Sequence, residues 1–121
     1  MKEKIIDKAE WLGWQCRIKK LRRNKWRNKT MYSVWFQRYT SKGQDLNVEL
    51  EIEKLSDLPC KLYEYWRGFD PDEQAMLWVG PDGHGKNGAP YSLKDILEDM
   101  YEADRLLEEL YHVFKILFLK Q

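Results

Sequence analysis

The sequence predicts an α+β fold: a short N-terminal helix, a three-stranded antiparallel meander, then two short helices and a long C-terminal helix packed on one face of the sheet. Three observations predict it. Residues 46–53 alternate strictly, with Leu46, Val48, Leu50 and Ile52 pointing one way and Asn47, Glu49, Glu51 and Glu53 the other, the period of a half-buried antiparallel strand. From residue 92 onward the period changes to that of a helix, and Leu93, Ile96, Leu97, Met100, Leu107, Leu110, Phe114 and Leu117 mark its inner face. A chain of 121 residues, 43% hydrophobic and with no internal repeat or linker, fits one domain over 1–121 with a core of its own.

Each element has its local reason. Residues 3–12 place Ile5, Ile6, Ala9 and Leu12 on one helical face, and Gly13 stops the helix. A strand follows over 14–22, where Cys16 and Ile18 alternate with Arg17 and Lys19. Residues 22–29 are polar with two Asn and read as a hairpin connection, and the aromatic and β-branched run 30–40 reads as the second strand. Ser41 to Asp45 is a turn into the third strand. Ser56, Asp57, Leu58 and Pro59, a capping residue ahead of a first-turn proline, start a helix whose buried stripe is Leu58, Leu62, Tyr65 and Trp66. Asp70, Pro71 and Glu73 open the next helix, and Ser92 with Asp95 opens the last by a capping box.

Charge is unevenly divided. Residues 1–43 hold 13 Lys/Arg against 3 Asp/Glu, a net of +10, and residues 44–121 hold 8 against 17, a net of −9. An asymmetry of this size bears on partners more than on fold. Its basic part, Arg17, Lys19, Arg22, Arg23, Lys25, Arg27 and Lys29 around Trp26, is a candidate nucleic-acid surface, because cations neutralise phosphates and an aromatic ring stacks on a base. A solvated hairpin, or a patch that pairs with acidic residues of another copy, explains the same residues. Glu49, Glu51 and Glu53 read as a solvated strand face rather than a carboxylate site.

The glycine-rich loop over 80–91 holds Gly80, Gly85 and Lys86 at the spacing of a phosphate-binding loop. Asn87 stands where that motif needs Ser or Thr, and Gly88, Ala89 and Pro90 stop the lysine from opening a helix, so no nucleotide cofactor is expected. His84, Lys86 and Asn87 remain a candidate loop surface. His84 and His112 are the two histidines, and Asp70, Asp72 and Asp82 lack the spacing of a metal site, so neither metal nor catalytic residues are assigned and a small metal-dependent enzyme is the least favoured reading. Two cysteines, Cys16 and Cys60, make no disulfide framework and read as buried thiols. The N-terminus has no apolar leader core and the longest apolar run is too short to span a bilayer, which predicts a cytoplasmic protein with no membrane partner. The end of the last helix is apolar nearly all round. Phe114, Leu117 and Phe118 are therefore candidates for self-association, and a homodimer is the first expected partner, with DNA or RNA as the alternative.

Phe69 to Glu73, then Gly83 to Pro90, then Leu93 to Leu110 form a pattern that resembles short uncharacterised proteins carried on mobile elements and phage-like regions of gut bacteria. The resemblance covers residues 43–112 and implies an accessory role with no assigned activity. The α-β-β-β-α order is also similar to that of double-stranded-RNA-binding domains. Those open their last helix with a lysine cluster, whereas this one opens with Ser92, Leu93, Lys94, Asp95 and Ile96 and is acidic beyond, so that family is not adopted. The leading expectation is a non-enzymatic interaction protein.

Overall fold

The computed structural model describes residues 1–21, 30–79 and 92–120. Its order is α1 (Lys2–Trp11), β1 (Gln15–Leu21), β2 (Met31–Tyr39), β3 (Asp45–Ile52), a single 3-10 turn (Leu55–Asp57), α2 (Leu58–Arg67), α3 (Pro71–Trp78) and α4 (Leu93–Leu119). The strands form one antiparallel sheet in the order β1-β2-β3, and the helices lie on one face of it. The architecture is the α+β arrangement expected from the alternation of β3 and the helical period after residue 92.

Strand parity decides which residues enter the core. Cys16, Phe36 and Val48 form one cross-strand row, and Ile18, Val34 and Leu50 the next. Of these, Val34, Phe36 and Val48 are fully buried. Ile5 and Ala9 of α1, Trp14, Leu58 and Leu62 of α2, and Leu107, Leu110 and Phe114 of α4 close over them. The rings of Phe36 and Phe114 lie 5.7 Å apart, and Trp14 meets Phe36 edge-on at 6.4 Å, both within the range of favourable aromatic pairs. A smaller cluster of Ala75, Ile96 and Met100 joins α3 to the start of α4.

Gly13 takes φ +98, the left-handed region open to glycine, and lets the chain turn from α1 into β1. Asp70 caps α3 by accepting from the backbone N–H of Asp72 and Glu73, and Ser92 and Asp95 form the expected box at the start of α4.

Several expectations need correction. α2 starts in the expected segment, with Asp57 in the N-cap position and Pro59 in its first turn, but no side chain caps it. Residues 55–57 wind into a 3-10 turn in which Asp57 accepts from the Lys54 backbone, and α2 starts one residue later. Leu46 is only partly buried, since it sits near the start of an edge strand and lines a cavity of about 300 Å³ beside α2, α3 and α4. Leu93 is exposed in the first turn of α4, while Asp99 takes a place on the buried side. Cys60 is exposed and only Cys16 is buried, both as free thiols. Cys60 falls on the outer side of α2, opposite Leu58 and Leu62.

Acidic residues of α4 hold the β2–β3 turn. Asp95, Asp99 and Glu102 are spaced so that one side of the helix carries all three. Thr40 donates to Asp99 at 2.7 Å, Ser41 donates to Glu102 through its hydroxyl at 2.6 Å and its backbone N–H at 3.1 Å, and Lys42 lies 3.5 Å from Asp95. The turn is thus fixed by side chains as well as by the Gly43 conformation at φ +85.

Candidate interaction surfaces

Among the described residues, two surfaces carry the charged and apolar features singled out by the sequence. The first is the face of the sheet turned away from the helices. It is built in rows by the strand register: Gln15, Gln37 and Asn47; then Arg17, Trp35 and Glu49; then Lys19, Ser33 and Glu51. Arg17, Lys19, Glu49 and Glu51 are exposed, Trp35 is half-buried between them, and Gln37 at the level of Gln15 and Asn47 is buried. The Arg17 guanidinium stands 5.0 Å from the centre of the Trp35 ring, whose Nε1 donates to Asn47 at 3.0 Å. Ser33 donates to Glu49 at 3.3 Å, and Gln37 to Asp45 at 2.8 Å. The ring orientation is therefore fixed from both sides. One edge of this face is basic and the other acidic.

Of the expected nucleic-acid residues, the structure places Arg17 and Lys19 on this face. Arg22, Arg23, Lys25, Trp26, Arg27 and Lys29 lie outside the described residues, as do His84, Lys86 and Asn87. Sequence reasoning did not pick out Trp35, nor that Arg17 and Glu49 stand level across it. That signal exists only once the strands are set in register.

The second surface is the end of the molecule where α1 meets the last turns of α4. Phe114 is fully buried in the core, and Leu117 and Phe118 pack against it as partly buried residues. The apolar groups left facing outward are Trp11 at 77% exposure, Leu119 at 72% and Ile116 at 53%. Trp11, Ile116, Leu117 and Val113 line a shallow groove of about 310 Å³ rimmed by Lys8 and Lys120. The helix tail is apolar all round because one side completes the core and the other does not. At this end Phe114 faces the core, while Trp11, Ile116 and Leu119 face outward.

The described residues offer little for catalysis. Burial, with Glu10 nearby, pushes the Cys16 thiol up to about 12, which keeps it protonated and a poor nucleophile. Among the described residues no group of three or more His, Cys, Asp or Glu is placed to hold a metal ion. His112 lies on the surface of α4, 3.7 Å from Glu108 and beside Trp66 and Tyr111. No described helix is long and apolar enough to cross a membrane. Comparison with protein-family models, with curated proteins and with solved structures gives no match for this chain.

Proposed function

We propose that this protein is a non-enzymatic interaction module that associates with a second copy of itself through the apolar end of α1 and α4. The observation that carries the reading is the exposure of Trp11 and Ile116 on one groove, with Leu119 exposed three residues further along α4. Phe114 shows that α4 has already completed the core at this level, so these groups are surplus to folding. A contiguous apolar patch rimmed by charge is the signature of a contact surface, and a twofold contact between identical patches is the commonest way for one chain to cover it. An accessory role on a mobile element is the setting that the sequence resemblance implies for such a module.

The test is sedimentation of the pure protein over a range of concentration, at low and moderate salt. Association through this end persists in moderate salt, because apolar burial is not screened. Replacing Trp11, Ile116 and Leu119 together by Ser leaves the fold nearly unchanged, since exposed positions each contribute within about 0.5 kcal/mol. It weakens self-association through this end by roughly 100-fold or more, as loss of an interface's anchor residues does. Wild-type protein that stays monomeric at high concentration, or a triple variant that associates as well as wild type at moderate salt, sinks the reading.

A second reading, nucleic-acid binding, is favoured by one observation: Arg17, Lys19 and Lys20 are exposed along β1, which leads into the basic segment 22–29. Glu49 and Glu51 on the same face oppose it, because they repel phosphate. Titration with labelled random DNA and RNA decides. Binding that falls steeply with salt and is abolished by Arg22→Glu with Arg23→Glu supports it. Absence of binding at low salt removes it.

A further inference from the structure

We infer that the open face of the sheet is a separate, self-complementary interface that takes a second copy of this chain about a twofold axis parallel to β2. The strand register sets out this face independently of the apolar end. In each of two rows a cation on β1 and a carboxylate on β3 flank a neutral residue on β2: Arg17 and Glu49 about Trp35, Lys19 and Glu51 about Ser33. All four charged side chains are exposed, and no described residue covers them.

Two copies laid face to face have two simple twofold arrangements. An axis in the plane between the sheets and perpendicular to the strands sets β1 over β1 and β3 over β3. Cation then meets cation and carboxylate meets carboxylate, and like charges placed together repel. An axis parallel to β2 sets β1 of one copy over β3 of the other and keeps every residue at its own level along the strand. Arg17 then meets the second copy's Glu49, Lys19 meets its Glu51, and the reverse pairs form by symmetry. Trp35 lies next to the axis, where the two indoles bury each other. The attraction in one arrangement and the repulsion in the other come from the same residues, so the pattern specifies orientation as well as contact. Aligned sheets pack about 10 Å apart, a gap that Arg, Lys and Glu side chains span.

The same division of charge disfavours other occupants. Nucleic acid is repelled by the β3 edge, and an acidic protein by the same edge. A partner must itself carry matching opposite halves, and this chain does.

The experiment uses the full chain with Trp11, Ile116 and Leu119 all changed to Ser, so that the apolar end does not contribute and its own failure is read separately. In this background we expect association at low salt that weakens as salt rises. Glu49→Lys with Glu51→Lys makes the face wholly basic, and Arg17→Glu with Lys19→Glu makes it wholly acidic. Each pair weakens self-association by at least about 100-fold, through like-charge contact. Mixing the two variants restores a dimer that contains one copy of each. Circular dichroism checks that both remain folded; should either unfold, wild-type charges with Trp35→Ala replace it, with loss of low-salt association expected. The proposal is overturned if the background protein is monomeric at low salt, if either charge-reversed protein or the Trp35 variant still associates as before, or if the mixture stays monomeric.

Discussion

Phe114→Ala lowers the stability of the fold by about 3–5 kcal/mol, the range for removal of a large aromatic side chain from a core. Phe114 is fully buried, tilts against Phe36 at 5.7 Å, and belongs to the cluster that joins α4 to the sheet, α1 and α2. Its loss opens a void that the neighbours fill only in part, because the sheet fixes Val34, Phe36 and Val48 from below. Leu119→Ala, five residues later and largely exposed, changes stability by less than about 0.5 kcal/mol. Chemical denaturation of the two variants measures the contrast. Equal and small losses mean that the inner and outer sides of this helix end have been exchanged, which also removes the ground for placing the interaction surface at Trp11, Ile116 and Leu119. Leu50→Ala falls between them at about 2–5 kcal/mol, because Leu50 packs against the same cluster from the edge strand and is nearly buried.

The same helix shows what was legible in the sequence. The period of α4 was plain because Ile96, Met100, Leu107, Leu110 and Phe114 recur at gaps of three, four or seven residues, all helical spacings, and its start was plain because a capping box is a local hydrogen-bond pattern. β3 was plain for the same reason: its alternation is local, and Val48, Leu50 and Ile52 are buried as expected. What failed depended on neighbours. Leu46 has the right parity for burial but too few elements over it. Leu93 has nearly the right phase but sits in the first turn, beside a groove with Leu97 and Tyr101 rather than under α3. Asp99 breaks the apolar stripe, and its reason lies 59 residues away at Thr40. The charged sheet face was half visible. Residue composition showed basic and acidic halves, but only pairing β1 with β2 and β2 with β3 puts Arg17 and Glu49 in one row. At the end of α4, hydropathy alone did not separate Phe114, which faces in, from Ile116 and Leu119, which face out.

Asp99→Asn raises stability at neutral pH, whereas Asp99→Ala lowers it by about 1–3 kcal/mol, the cost of leaving a buried hydroxyl without its acceptor. Asp99 is 1% exposed and accepts from Thr40 at 2.7 Å. Burial raises its carboxyl above the usual range, the Thr40 bond works against that rise, and the charge of nearby Glu102 adds to it. A carboxyl raised in the fold holds its proton more tightly there than in the unfolded chain. Stability is therefore full below the ordinary aspartate value and declines as pH rises from that value through the raised one. Asn keeps an acceptor for Thr40 and has no charge to desolvate, so that decline disappears. Glu102 acts in the opposite sense. Its burial works to raise it, but the two Ser41 bonds, a bond with Asp99 and the charge of Arg105 together leave it below the usual range. Its contribution is present above the ordinary glutamate value and is lost as pH falls through the lowered one. Denaturation midpoints taken across mild acid to neutral pH check the Asp99 decline, since Asp99→Asn flattens the neutral side of the profile. If Asn destabilises as much as Ala at neutral pH, the fold is using the negative charge of Asp99 itself, and the docking of the β2–β3 turn on α4 rests on ionic attraction rather than on the hydrogen bond from Thr40.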